Sequence, residues 1–343
     1  MKCMRRKAVK LCGAIAYKKS LKRLKIMVAK SPELKKRKAM DALFYLSFMI
    51  VPVIAFLVFY VYVNLDSFVM AFQRPIKGEQ KLEFVWFDNF KWVFEKIREG
   101  DVDNPIDDLR LAFINTFKTF GIKMIMFPIS LFVSYFIYKK ILFYKAFRVM
   151  FYLPSIVSGV VVSFFFTTFV SPQSFFPGFL EKLYNLDYPL YNPLVDSTFA
   201  NKMVLLHMVW LTFPANLIIW GGTFSRIPES VIESSRLDGV NWVQEMFVII
   251  LPLVWPTFVL MVTLELANVF GASGAVFLLT GGEYGTQTVS NWMYLKIYRT
   301  TNPYSVDYIY QVAAMGLLLT VISCAIAFLV RKFLVSKIEE TTY

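Results

Sequence analysis

The stretch Glu233-Ser234-Ser235-Arg236-Leu237-Asp238-Gly239, followed by Ile249, Leu251 and Pro252, is a polar break between two long apolar runs, Met203–Gly222 and Val248–Gly271. Pro228 suits the first turn of a helix, and Glu229 and Glu233 lie near its positive N-terminal end. Glu229, Ile232, Glu233 and Arg236 are helically spaced, and Asp238-Gly239 is a strong stop because glycine tolerates the left-handed conformation. Asn241 then caps a second helix, with Gln244 as its capping-box partner. Trp242 and Phe247 give that helix an apolar face leading into the next run. The pattern predicts a helix, a sharp glycine turn and a second helix tipped into apolar surroundings: a short, rigid knob with a polar tip.

Working outward, the chain has 343 residues, 57% of them hydrophobic, 17% aromatic and only 18% charged. Soluble domains sit near 45–50% apolar residues, roughly, so a membrane protein is expected. A helix needs about 20 apolar residues to cross the hydrocarbon. Six runs qualify: Ala42–Val63, Leu111–Tyr138, Val149–Val170, Met203–Gly222, Val248–Gly271 and Tyr308–Val330. They are continuous rather than alternating, which argues against strands, and a backbone in lipid must satisfy its own hydrogen bonds, so each run is predicted helical. The expected class is an all-α membrane protein with six transmembrane helices.

Flanking charge orients the runs. The basic segment before the first run, Lys139, Lys140, Lys145 and Arg148 after the second, and Arg331, Lys332 and Lys337 after the sixth mark one side. Asp101, Asp103, Asp107 and Asp108, and later Glu181, Asp187 and Asp196 against Lys182, mark the other. The positive-inside rule then places both termini and the Glu233 loop in the cytoplasm. The chain divides into a basic cytoplasmic arm at 1–41, a membrane domain at 42–335 with its polar loop at about 225–252, and a short cytoplasmic tail at 336–343.

Most of the net charge of +13 lies in the first 40 residues, against one acid, Glu33. Beside many apolar runs, such an arm fits anionic membrane lipid rather than nucleic acid, for which no fold signature accompanies it. Cys3, Cys12 and Cys324 show no metal or disulfide spacing. The first apolar run is too long for a signal h-region and is read as a retained span. The segment from Asn64 to Arg110, with Phe84, Trp86, Phe87, Phe90 and Trp92, is either a short folded insert or an amphipathic cover. Ser171–Asn201, with Pro172, Pro177, Pro189 and Pro193, should be irregular or form short helices.

The loop resembles the EAA loop of the membrane subunits of binding-protein-dependent ABC importers. In that family the pattern is E-A-A, three residues, G, nine residues, I, one residue, L-P; Glu233, Gly239, Ile249, Leu251 and Pro252 fall in register, with Ser234 and Ser235 in place of the alanines. Ile227-Pro228-Glu229-Ser230, Asn115-Thr116, Phe151-Tyr152-Leu153-Pro154 with Gly159, and Leu278-Leu279-Thr280-Gly281-Gly282 are similar to maltose-type sugar permeases, over residues 42–335. The resemblance implies the type I importer fold. It also implies a second permease subunit, two ATPase domains below, and an extracellular or periplasmic sugar-binding protein. ATP would be used by the partner ATPase, since this chain lacks a G-x-x-x-x-G-K-[ST] phosphate loop; no cofactor and no catalysis are expected of the chain itself. The family role of the loop, reaching the ATPase groove, carries over to Glu233, with Ser234, Ser235, Asp238, Gly239 and Pro252 building the joint.

Sugars are held by aromatic faces and hydrogen-bonding side chains. In this family the site, when present, lies between the spans equivalent to four and five, which makes Thr212, Asn216, Asn268, Phe270 and Ser273 the candidates. The same residue types also join membrane helices to one another. Glu265, an acid inside a span, is functional by default. It lies about as deep as Lys118, so a structural ion pair between them and a path-lining role both stand. His207, the single histidine, is read as packed. An ion-coupled secondary transporter would call for repeated halves and several buried charges, and a membrane enzyme for a catalytic constellation; neither pattern is visible. An importer of a non-sugar solute, such as glycerol phosphate or a peptide, remains open.

Overall fold

Long apolar runs become long helices wherever proline and glycine allow. The structure, a computed structural model, describes residues 32–76, 81–100, 106–185, 192–271, 274–298 and 307–335; most of the basic arm, the tail and Ser273 lie outside these. The chain separates into two compact units, Met1–Ser67 and Phe68–Tyr343. The first contains most of helix α1, which runs from Pro32 to Met70 through a π-helical stretch, Leu57–Tyr62. Its side chains from Leu43 to Ser67 are exposed apart from half-buried Val61. A helix apolar all round has water as its poorest solvent, as expected of a span bathed in lipid or protein.

In the second unit a hairpin, β1 (Gln73–Pro75) and β2 (Leu82–Phe84), pairs antiparallel with Arg74 opposite Glu83. Helix α2 (Asp88–Glu99) follows, then α3 (Leu109–Tyr138), α4 (Tyr144–Ile156), α5 (Gly159–Phe169), α6 (Phe176–Tyr184) and α7 (Ala200–Phe224). After these come α8 (Glu229–Leu237), α9 (Trp242–Ala267, with a π-helical stretch Glu245–Ile250), α10 (Gly274–Leu279), α11 (Val289–Tyr298) and α12 (Asp307–Val335). The fold is mostly helical, and the hairpin is its one departure from the all-α expectation among the described residues. The Asn64–Arg110 segment combines both readings offered for it, since the hairpin is a folded insert and α2 a cover. Val93 of α2 is buried with Leu109, Ala112, Val289, Trp292 and Val312.

Five helices are long and apolar enough to cross a membrane, or six if one bent pair is counted as a span. That pair is a correction. The run Val149–Val170 is not one helix but α4 and α5, bent by 105°. Pro154 has no N–H to continue the ladder, and Val157 and Ser158 are extended (ψ 146° and 134°) before Gly159 restarts the helix. Helix α4 also lies close against α7. The Tyr152 hydroxyl donates to the Leu217 carbonyl at 3.3 Å and occupies the place a Cβ on Gly221 would need, 2.6 Å away.

The turn Thr280–Thr288 leaves helical geometry, so its backbone groups need partners from elsewhere. Gly281, Gly282 and Gly285 take positive φ (65°, 92° and 73°). Asn115 of α3 closes the turn: its amide donates to the carbonyls of Gly285 (2.8 Å) and Gln287 (3.0 Å), while its oxygen accepts from Asn201 at 2.6 Å. The Thr116 hydroxyl accepts from the Val289 N–H at 3.0 Å. A Cβ on Gly282 would collide with Gln287 and Asn291, themselves joined at 2.6 Å. Asn115→Ala would strand two carbonyls and is expected to cost about 2–6 kcal/mol at 1–3 kcal/mol per unsatisfied group. Thermal unfolding of the purified protein in detergent measures this; an unchanged melting curve would show that the knot is not structural.

Candidate coupling loop and translocation path

Helix α8 begins one residue later than its sequence signals suggest. Pro228 precedes it in an extended conformation (ψ 133°) and Glu229 opens the first turn. At the other end the expected stop is present. Gly239 is left-handed (φ 71°). Its N–H donates to the Arg236 carbonyl at 3.1 Å and the Val240 N–H to the Ser235 carbonyl at 3.2 Å, the paired bonds of a Schellman cap. The capping box is formed as well: the Gln244 N–H donates to Asn241 Oδ1 at 2.9 Å and the Asn241 N–H to Gln244 Oε1 at 3.2 Å.

These caps leave few backbone groups at the tip unpaired and hold its side chains outward. Glu233, Ser234, Arg236, Asp238 and Gly239 are exposed, whereas Ser235 is buried beside Ile232. The two serines therefore differ: Ser235 faces protein, its hydroxyl donating to the Ile232 carbonyl at 2.8 Å, and Ser234 faces out. Leu237, absent from the candidates read in the sequence, is 88% exposed at the end of α8. Its signal was a lone leucine inside a polar stretch. Pro252 is half-buried just beyond the π-helical stretch.

The loop is fastened to α3 by an ion pair that sequence reading missed. Lys139 Nζ lies 2.7 Å from both carboxylate oxygens of Glu245, whose side chain is 3% exposed. The Tyr135 hydroxyl donates to the Trp242 carbonyl at 3.4 Å. Phe136 packs on Trp242 and Phe132 on Phe247, with ring centroids 5.7 and 5.8 Å apart. Below them one buried cluster joins Phe127, Leu131 and Tyr135 of α3, Trp220 and Phe224 of α7, Ile232 of α8, and Met246, Ile250, Val254 and Met261 of α9.

The path candidates do not gather as expected. Thr212 is half-buried and Asn216 buried on α7. Phe270 instead sets its edge against Phe113 and Phe117 of α3, at 5.9 and 6.1 Å, and Asn268 is exposed. Among the described residues no hydrogen bond or ring contact joins the two sets. Glu265 does form an ion pair, but with Lys123 at 3.3 Å rather than with Lys118. The two lysines are five residues apart, about 140° around the helix, so only one can face α9. Lys118 is exposed and turns to Asn115 at 3.5 Å. His207 is buried, 3.1 Å from the Ser163 hydroxyl. A cavity of about 1030 Å³ opens at the α4–α5 bend against α3 and α7. Its wall is apolar apart from the Trp210 indole, and neither Thr212 nor Asn216 lines it.

Long apolar helices of membrane-spanning length, joined by a capped polar turn, mark an integral membrane protein. Residues 108–340 match the family described as the binding-protein-dependent transport system inner membrane component, and the chain belongs to that family. It is a multi-pass membrane protein. It is 24% identical over 222 residues to the arabinooligosaccharides transport system permease protein of Bacillus subtilis, covering 64% of this chain and 66% of that one. Over 109 residues it is 28% identical to the osmoprotective compounds uptake permease protein of Synechocystis, covering 32% and 39%. Over 219 residues it is 24% identical to the sn-glycerol-3-phosphate transport system permease protein of Pectobacterium atrosepticum, covering 63% and 69%. The chain thus spans less than two thirds of the length of several curated relatives it matches. The fold superimposes on a bacterial ABC transporter that imports the acidic polysaccharide alginate, with TM-score 0.68 and 20% identity, over 90% of this chain and 100% of that one.

Removing one member of a buried ion pair costs about 3–5 kcal/mol, because the other charge is left uncompensated. Glu245→Ala and Lys139→Ala are each expected to lower thermal stability by that order, and the exchange Lys139→Glu with Glu245→Lys to restore most of it. Single variants that melt like the native protein would show that the loop is held by its apolar contacts alone.

Proposed function

We propose that this chain is one permease half of a carbohydrate importer, forming part of the uptake path for a sugar or oligosaccharide and coupling to a separate ATPase through residues 225–252. The observation that carries this reading is the capped helix α8, which presents Glu233 and Leu237 outward while Lys139 and Glu245 fasten the following helix to α3. A charged and apolar pair on a stiff knob is suited to a groove in a partner. The partners in this reading are a second permease subunit, two ATPase domains and an extracellular or periplasmic binding protein. The bent pair counts as one span, which gives six, and both termini and the loop face the cytoplasm. ATP is used by the ATPase, and the chain binds no cofactor.

The carbohydrate assignment is supported by the arabinooligosaccharide relative and by the alginate importer of like fold. Glycerol phosphate is a second reading, raised by a relative named for it. A phosphate calls for cations along the path. Helix α9 has none, and α7 has Lys202, already held over the rings of Tyr184 and Phe199 at 4.6 and 4.8 Å. Purification from native membranes in mild detergent, with mass spectrometry, tests the assignment. The native chain is expected to bring an ATPase and a second permease, and a Glu233→Lys/Gly239→Pro variant to lose the ATPase. A chain that purifies alone, with the variant unchanged, would point to a secondary transporter.

A further inference from the structure

The segment after α1 builds an aromatic platform for which the coupling role has no use. Phe72 stacks on Phe84 at 6.1 Å and meets Phe87 and Phe90 at 6.0 and 5.4 Å, and Trp86 sets its edge against Phe84 at 5.1 Å. The platform is stapled from beneath. Buried Asn89 donates to the carbonyls of Ala71 (3.0 Å) and Gln73 (2.8 Å), and the Val85 N–H donates to the Phe72 carbonyl at 2.9 Å. Trp86 sits in the left-handed region (φ 49°), uncommon for a bulky residue and costing on the order of 1–3 kcal/mol. In that strained conformation its side chain is 66% exposed.

Helix α2 extends the platform. One face, with Asn89 and Val93, is buried. On the other, Phe87, Lys91, Phe94 and Arg98 follow one another at i, i+4, i+7 and i+11, and all four are exposed. The stripe alternates aromatic and basic side chains, with exposed Asp88, Glu95 and Glu99 along its flank and Asp88 paired with Lys91 at 3.1 Å.

The depth of this surface can be read from its neighbours. Trp92 lies 6.3 Å from Tyr308, the first residue of the candidate span Tyr308–Val335. Val93 is buried with Leu109, the first residue of the candidate span Leu109–Tyr138. The coupling loop meets that same span at Tyr135, the far end of a 30-residue helix about 45 Å long. Helix α2 is therefore level with the starts of two spans, at the membrane–water boundary on the face away from the loop.

We propose that this platform is an interfacial anchor. It seats Trp86, Phe87 and Phe94 among the lipid headgroups and upper acyl chains, while Arg98 reaches anionic headgroup phosphates and Lys91, paired with Asp88 at 3.1 Å, stays in the wet part of the layer. Trp86, with its polar indole N–H, favours that layer, the apolar rings of Phe87 and Phe94 suit its acyl side, and long basic side chains keep their charge in its wet part while their stems cover apolar surface. In water the same rings would form an exposed apolar patch. The inference rests on the membrane location of the family and not on the identity of the solute.

Nitroxide labels introduced by Trp86→Cys or Phe94→Cys test it, in a chain whose Cys3, Cys12 and Cys324 are serine. The assembled transporter is placed in nanodiscs of phosphatidylethanolamine and phosphatidylglycerol, and label collisions with oxygen and with a water-soluble nickel chelate are compared. Anchoring is expected to favour oxygen at both positions. Free access of the chelate would overturn the proposal in favour of a water-facing surface. Protection from both reagents would overturn it in favour of a protein partner such as the binding protein. If a labelled chain fails to assemble, brominated lipid replaces the labels. Quenching of tryptophan fluorescence should fall when Trp86→Phe is introduced, and equal quenching in the native chain and the variant would refute the anchor.

Discussion

The structure depends on one constraint: in hydrocarbon every backbone donor and acceptor must find its partner within protein. Helices meet it over the long apolar runs. At two breaks among the described residues the chain supplies a substitute. At the Thr280–Thr288 turn and the start of the next helix the substitutes are Asn115 and Thr116 of α3, with Asn201 of α7 holding the Asn115 oxygen. At the exposed loop tip, outside the hydrocarbon, the helix ends are closed locally by the Schellman cap and capping box. The family-like residues Asn115-Thr116 and Thr280-Gly281-Gly282, far apart in the chain, thus prove to be two halves of one joint.

The polar loop is stiffened by its own caps rather than by the membrane, and its fastenings tie it to the long helices. The Lys139–Glu245 pair and the aromatic contacts around Trp242 tie the second helix of the loop to α3. The buried cluster from Ile232 through Phe224, Met246 and Phe127 continues the tie into α7 and α9. Close-packed interiors deform little and pass displacement on. A force applied at Leu237 or Glu233 would therefore be passed to the loop-side parts of three long helices rather than be absorbed in the loop.

Local features were legible in the sequence and distant pairings were not. The glycine stop at Gly239 and the Asn241–Gln244 box are set by residues within a few positions of one another, so spacing alone found them. The bend at Val157–Ser158 escaped because hydropathy is blind to a break: both sides of Pro154 are equally apolar. The partner of Glu265 was placed at Lys118 by depth, whereas the choice between Lys118 and Lys123 is made by rotation about the helix. Lys139 and Glu245 lie 106 residues apart, and Lys139 stood among flanking charges that looked alike. Thr212 and Asn216 were grouped with Phe270 by span order, but Phe270 packs on α3 because Phe113 and Phe117 offer it aromatic edges.

The central claim is that the tip of α8 touches a separate ATPase. A photo-crosslinking amino acid placed at Leu237, beside Glu233, in cells carrying the whole transport system tests it most directly. The expected result is one adduct whose second component is an ATPase chain, lost when Gly239→Pro disrupts the cap. Adducts only with lipid, or with a protein from the opposite side of the membrane, would contradict the account.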